Sequence, residues 1–187
     1  NLHGFADLTD RSVAARLAAA VLNSTSICTF NMVPITELRA GLKKLDLDSQ
    51  LMGMTGAIVI SNLMATSNTL RSLRLGQNCL GDEGAKEIVQ PLRDEGCQLT
   101  FLEMDNNSIG DEGAKAIADA LDTNSSLTRL HIRYNQFTQQ AKEQLISVCT
   151  AKKIRLLCFG SEEELTDDDV FEYYTEEEDE EDEEEEE

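Results

Sequence analysis

An internal repeat constrains the fold of this chain more than any other feature of its sequence. The octapeptide Gly-Asp-Glu-Gly-Ala-Lys-Glu-Ile begins at Gly81 and returns almost unchanged at Gly110, 29 residues later. An apolar ladder of the form L-x-x-L-x-L-x-x-N-x-L precedes each of these two copies, starting at residues 70 and 99. A third ladder starts at 127, a more degenerate one at 42, and a last strand at 154. Regular repeats of this length predict a solenoid in which each unit packs against its neighbours.

Each repeat predicts a strand followed by a turn. The alternating x-L-x-L-x segment has the period of a strand whose leucines point inward. The Asn that follows it, at positions 78, 107 and 135, is expected to hydrogen bond to backbone groups of the turn. Gly81 and Gly110 then permit a sharp bend into the next element.

A helix is predicted to complete each repeat. Asp82 and Asp111 are expected to cap the helices that they begin, with Glu83 and Glu112 in the first turn opposing the positive end of the helix dipole. Apolar residues then recur at helical spacing. They are Ala85, Ile88, Val89 and Leu92 in one copy, and Ala114, Ile117, Ala118 and Leu121 in the other.

These motifs resemble the leucine-rich repeat family, and the repeat length and helix start resemble its ribonuclease-inhibitor-like subtype. The resemblance covers roughly residues 42–159. It implies an α/β solenoid with a parallel concave sheet and convex helices. Gln50 in place of Asn and Thr138-Gln139-Gln140 in place of the glycine-rich helix start mark the outer repeats, which are commonly atypical.

The chain is predicted to have three regions. Residues 1–41 form an N-terminal helix and an irregular capping repeat, residues 42–160 the repeats, and residues 161–187 an acidic tail. The helix is expected over residues 9–22, with Val13, Leu17 and Val21 on its apolar face. Residues 27–41 are interpreted as an irregular strand plus an insertion, because Pro34 interrupts the apolar pattern.

Charge is distributed unevenly along the chain. The formal net charge is −20, and residues 162–187 hold nineteen of the 36 acids and no base, which leaves seventeen acids and sixteen bases for the rest. The tail is therefore expected to be disordered, because it cannot bury enough apolar surface and its charges repel. A pI near 4.3 disfavours nucleic acid and anionic membranes as partners, and the apolar stretches are too short to span a membrane.

The outward positions of the strands are the predicted protein-binding surface. An exposed Phe101 between Arg74 and Glu103 is its expected anchor, because aromatic and Arg residues dominate interface energetics. The alternative is an ordinary solvated face with one exposed aromatic residue. In the last strand the outward positions are expected at Leu156, Cys158 and Gly160. The full predicted set is Lys44, Asp46, Asp48, Arg74, Phe101, Glu103, Asp105, Arg129, His131 and Arg133.

The tail has two predicted regulatory features. Arg129, His131 and Arg133, with Lys152, Lys153 and Arg155 nearby, make the C-terminal repeats locally basic, so we hypothesise that the tail folds back over them; a solvated charge run is the alternative. Three hydroxyl residues are each followed by three acids, which resembles the sites of acidophilic kinases, and phosphorylation would add negative charge. They are Ser161, Thr166 and Thr175.

No catalytic, cofactor or metal site is predicted. His3 and His131 are the only histidines, and no third group is spaced to orient either one beside a nucleophile. The five cysteines are odd in number and contain no C-x-x-C pair, which favours reduced structural thiols in an intracellular protein. The segment from Asp105 to Gly110 opens like a calcium loop, but Ile109 and Ala116 occupy positions that require oxygen ligands.

The predicted function is therefore a non-enzymatic, monomeric binding module, cytoplasmic or alternatively nuclear, whose concave face holds a protein partner and whose tail modulates binding. One alternative is a GTPase-activating protein acting on a small GTPase. Ran GTPase activators are similar in combining such repeats with an acidic region, although this chain has fewer repeats. A further alternative is that the tail binds histones or other basic proteins.

Overall fold

The repeats form one parallel sheet backed by helices. The computed structural model describes residues 11–24, 26–30 and 33–158. Five strands hydrogen bond in chain order: β3 (Lys44–Asp46), β4 (Ser72–Arg74), β5 (Phe101–Glu103), β6 (Arg129–His131) and β7 (Arg155–Leu157). The helices between them are α3 (Gly53–Thr66), α4 (Gly81–Val89) with a 3₁₀ turn (Gln90–Arg93), α5 (Asp111–Leu121) and α6 (Gln139–Lys152). The predicted α/β solenoid is confirmed.

A different arrangement precedes the sheet. Helix α1 (Arg11–Asn23) packs against α3, then β1 (Thr29–Phe30) pairs antiparallel with β2 (Val33–Pro34), and α2 (Ile35–Ala40) follows. The predicted N-terminal helix is therefore present, and Val21 is buried on its inner face, but Val13 is 42% exposed. Helix α3 is apolar around most of its surface, as expected for a helix that packs against both α1 and α4.

The core lies between the sheet and the helices. Leu45, Leu73, Leu102, Leu130 and Leu156 occupy one register row, and the first four are at most 5% exposed. All eight apolar residues predicted from helical spacing in the two central repeats are buried. No helix within the described part of the chain has both the length and the apolar character needed to cross a membrane.

The asparagines of the repeats form a ladder that joins each unit to the one before it. The Oδ1 atom of Asn107 accepts from the backbone N–H groups of Asn78 and Leu80, and its Nδ2 donates to the carbonyls of Leu75 and Asp105. Asn78 hydrogen bonds to the preceding turn in the same way. Asn135 does the same to the turn around Asn107. The predicted turn role is confirmed, and it extends across the repeat boundary.

The aspartates at the helix starts act differently from the prediction. Asp82 does not cap its own helix α4. Its Oδ1 accepts from the N–H groups of Gly110 and Gly113, 2.7 and 2.9 Å away, at the start of α5 in the next repeat. Asp111 likewise accepts from the backbone and hydroxyl of Thr138 at the start of α6. The expectation of a cap within each repeat was wrong, because stacking brings each carboxylate over the next helix.

The last strand is shifted by one residue from the predicted register. Leu156 aligns with the inward Leu130, and Arg155 aligns with the outward Arg129. Cys158 is 4% exposed and belongs to the core. The expectation that Leu156 and Cys158 face outward was wrong, and Gly160 lies outside the described residues. The outward positions of β7 are Arg155 and Leu157.

Candidate protein-binding face

The outward residues of the five strands form rows across the concave face. One row holds Lys44, Ser72, Phe101, Arg129 and Arg155, and the next holds Asp46, Arg74, Glu103, His131 and Leu157. Asp48, Asp105 and Arg133 follow the ends of their strands. The structure therefore brings all ten predicted binding residues to one face of the sheet, whereas their binding of a partner stays a prediction.

Phe101 lies at the middle of this face but is not the exposed anchor that the sequence suggested. It is 7% exposed, because neighbouring side chains cover its ring. The guanidinium carbons of Arg74 and Arg129 lie 5.8 and 5.3 Å from the ring centroid, and His131 packs edge-on at 4.9 Å. Cation–π and aromatic contacts of this kind are each worth about 0.5–1.5 kcal/mol. They hold four side chains of three strands in one cluster.

His131 is held neutral by this cluster. Burial is the main reason why its pKa is lowered from 6.5 to about 4; the charge of Asp105 opposes this shift, and the positive charges of Arg133, Arg129 and Arg74 contribute to it. The ring is therefore uncharged near pH 7 and contributes packing. Cys158, which was expected on the same face, lies on the core side of the sheet, so Cys158 and His131 do not form a pair suited to nucleophilic catalysis.

An acidic depression lies beside the cluster, where the strands end. It has a volume of about 480 Å³, and its lining includes Asp48, Glu103, Asp105, Arg133 and Tyr134. Burial raises the pKa values of Asp48 and Glu103, and the charge of Asp105 raises both further. Neighbouring carboxylates whose charges repel one another favour a cationic group above them.

Ion pairs fix two of the arginines on this face. The Nε atom of Arg133 donates to Asp105 at 2.8 Å, and the backbone N–H of Arg133 donates to the same carboxylate at 2.7 Å. Asp105 is 8% exposed, so the carboxylate is largely shielded from water, whereas the Arg133 side chain is 38% exposed. Arg74 lies 3.6 Å from Glu103 in a more exposed pair. The acidic depression is thus partly neutralised along its border with the cluster.

The chemistry of the described residues is otherwise sparse. Among residues 11–24, 26–30 and 33–158, no group of three or more His, Cys, Asp or Glu could hold a metal ion. Cys97, Cys149 and Cys158 are buried free thiols, and burial raises the pKa of Cys149 to about 12, with the nearby Cys158 acting in the same direction. Such thiols are unreactive. Cys28 and Cys79 are exposed.

Sequence reasoning missed two residues of the face. Arg155 and Leu157 replace the predicted outward residues of the last strand. The alternation of Ile154, Leu156 and Cys158 is a sequence signal for the correct register. It fits the x-L-x-L-x pattern as well as the register in which Leu156, Cys158 and Gly160 face outward. The predicted phosphorylation sites Ser161, Thr166 and Thr175 lie outside the described residues, as does the whole tail.

Comparison with known families identifies the repeats. A family model described as "Leucine Rich repeat" matches residues 66–89, 97–118 and 123–139. These segments contain β4 to β6 and the starts of the helices that follow them, so the match covers the central units of the solenoid.

Curated relatives and a solved structure agree with this. The chain is 29% identical over 128 residues to the human "NACHT, LRR and PYD domains-containing protein 3", covering 68% of the chain, and 29% identical over 103 residues to the Bos taurus protein of that name, covering 55%. It spans only about a tenth of the length of these relatives, 11% and 10%. A solved "Leiomodin-1 Actin-Binding Site 2" has a similar fold, with a TM-score of 0.61 at 16% identity over 72% of this chain and 81% of that one.

Proposed function

Because the chain is a leucine-rich repeat protein, we propose that it is a non-enzymatic protein-binding module whose partner contacts the concave face of the sheet. The observation that carries this proposal is the cluster around Phe101, in which an aromatic ring and two arginines are held together across three adjacent strands. Aromatic and Arg side chains provide most of the binding energy at protein interfaces.

The backbone beneath this face supports the proposal. The asparagine ladder joins consecutive turns through hydrogen bonds of 2.7–3.3 Å, so the strands cannot shift independently. A preorganised surface loses little conformational entropy on binding, which leaves more of the contact energy as affinity. The outward side chains therefore project from strands whose relative positions are fixed.

Charge separation on the face indicates the kind of partner. Asp46 and Asp48 make the N-terminal part of the face acidic, and Arg129 and Arg155 make the C-terminal strands basic, whereas Glu103 and Asp105 between them are paired with Arg74 and Arg133. A protein surface with the complementary division of charge would be oriented by it and would associate faster at low salt. The acidic tail, by its charge, modulates access to the basic part.

The experiment is affinity capture with the full chain from a cell extract at two salt concentrations, followed by titration of the purified partner. Arg74→Glu alters the face, and Arg93→Glu makes the same charge change at an exposed position in the 3₁₀ turn on the helix side. We expect Arg74→Glu to weaken partner binding by about tenfold or more and Arg93→Glu by less than about twofold. Equal effects of the two variants would contradict binding at the concave face.

The same capture separates the alternatives. Faster GTP hydrolysis by a recovered small GTPase would favour the GTPase-activating function. Recovery of basic proteins through the tail alone would favour histone or basic-protein binding. Actin belongs among the proteins assayed, since the leiomodin-1 chain with this fold is named as an actin-binding site.

A further inference from the structure

Four arginines lie on the concave face, and their electrostatic environments differ. Arg74 and Arg133 each lie within 3.6 Å of a carboxylate. Arg129 and Arg155 are exposed, and neither forms an ion pair with any of the residues that the structure describes. The two unpaired guanidiniums belong to adjacent strands, β6 and β7.

The register places these two positive charges side by side. Arg129 aligns directly with Arg155, and like charges at opposed positions of neighbouring strands repel. The guanidinium carbon of Arg129 is also held 5.3 Å from the centroid of the Phe101 ring, which limits its freedom to turn away. We name Arg129 and Arg155 the arginine pair. An anion placed between them would relieve their repulsion.

The chemistry of the pair defines the anion. A guanidinium presents a planar fork of donors that matches a carboxylate, and it also stacks on aromatic rings. A peptide segment with several carboxylates and a few aromatic side chains therefore fits the arginine pair and the adjoining Phe101 cluster better than a simple ion.

We propose that residues 162–174 of this same chain dock on the arginine pair and regulate the concave face. This segment contains seven acids and no base, together with Phe171, Tyr173 and Tyr174. The proposal deepens the proposed function, on which its regulatory meaning rests: the tail would act as a competitor that an acidic partner must displace. The remaining acids, at 176–187, form a run without any aromatic residue.

The geometry of the chain permits this contact. The last described residue, Cys158, follows β7 directly, and Arg155 lies three positions earlier, about 10 Å along the strand. Three residues separate Cys158 from the first tail acid, and an extended chain spans up to about 3.5 Å per residue. Arg129 lies one strand further, about 5 Å away. Because the segment is tethered so close, its effective concentration at the pair is high, on the order of millimolar.

The test measures protection of individual arginines in the full chain. Each protein is treated with p-hydroxyphenylglyoxal, and modification of Arg129, Arg155 and Arg93 is followed by peptide mass spectrometry. Two tail variants are compared with the unaltered chain. In the proximal variant the seven acids between 162 and 172 become Ser, and in the distal variant the seven acids from 176 to 182 become Ser. Both variants lose seven negative charges, so they differ only in which segment is neutralised.

We expect Arg129 and Arg155 to react about fivefold faster in the proximal variant than in the unaltered chain at about 0.05 M salt. The distal variant should match the unaltered chain, and Arg93 should react equally in all three. At about 1 M salt the differences should disappear, because the Debye length falls to about 3 Å. Equal reactivity of the arginine pair in the proximal and distal variants would overturn the proposal.

Two further outcomes decide between sources of the protection. If protection of the arginine pair grows with protein concentration, the tail of a second copy is responsible, and docking within one chain is overturned. A fluorescein-labelled octaglutamate probe should bind the proximal variant about tenfold tighter than the distal one, and adding Arg129→Glu and Arg155→Glu should abolish that gain. Retention of the gain would show that the acidic segment and the probe compete for a site other than the arginine pair, which would overturn the proposal. None of these assays uses the partner, so their failure would leave concave-face binding standing.

Discussion

Replacing Asn107 by Ala tests how the repeats are joined. Asn107 is fully buried, and its side chain makes four hydrogen bonds to backbone groups. The Asp105 carbonyl keeps a second donor, the N–H of Gln77, but the N–H groups of Asn78 and Leu80 and the carbonyl of Leu75 lose their partner. At about 1–3 kcal/mol for each buried group left without a partner, and with partial relaxation, we expect the variant to lose about 3–5 kcal/mol of unfolding free energy.

The assay is urea denaturation of the full chain with linear extrapolation. Asn68→Ala is the matched control, because Asn68 is exposed, and it should change the unfolding free energy by less than about 0.5 kcal/mol. Asn107→Asp keeps the two accepted bonds but places a carboxylate oxygen against the carbonyls of Leu75 and Asp105. The loss of unfolding free energy in Asn107→Asp should equal that in Asn107→Ala at pH 7. It should become smaller in acid, because the protonated carboxyl can donate a hydrogen bond. A cost of Asn107→Ala below about 1 kcal/mol would refute the ladder as a source of stability.

Three further predictions concern caps, glycines and pH. Asp82→Ala should lower the unfolding free energy measured by urea denaturation by about 1–2 kcal/mol, because it removes the cap of the next helix. The control Glu83→Ala, at an exposed residue, should lower it by less than about 0.5 kcal/mol. Gly113→Ala should lower the thermal midpoint, because its Cβ would lie 2.3 Å from the Ile109 methyl and 2.7 Å from the Asp82 carboxylate; Gly96→Ala, with open space, should be neutral or stabilising. Since the pKa of His131 is lowered from 6.5 to about 4, the unfolded chain binds the proton more tightly between these values. Stability should therefore fall as pH decreases from about 6.5 to 4, by about 1–2 kcal/mol after allowing for partial exposure, and His131→Gln should lack that component when denaturation is repeated across this range.

Strand and helix positions could be predicted because each repeat carries its own periodicity. The leucines of the strands and the apolar residues of α4 and α5 are local patterns, and both sets are buried as expected. The partners of Asp82 and of Asn107 could not be predicted in the same way. Their partners lie in neighbouring units, some thirty residues away in sequence, and depend on how one repeat stacks on the next.

The candidate face could be predicted by position but not in detail. Alternation alone placed the ten predicted residues on one side of the sheet. The burial of Phe101 could not be foreseen, because it depends on the rotamers of Arg74, Arg129 and His131. The outward position of Arg155 could not be predicted, because two registers of the last strand fit the apolar pattern. Pairing with β6 selects the register in which Leu156 faces inward and Arg155 outward.

Site-specific photocross-linking tests the concave face as the binding surface most directly. A benzoylphenylalanine residue would replace Ser72, which lies beside Phe101 in the sheet, or the exposed Glu83 on the helix side, in the full chain mixed with its purified partner. We predict a cross-linked adduct from position 72 and none above background from position 83. Adducts from position 83 alone, or equal yields from both positions, would contradict binding at the concave face.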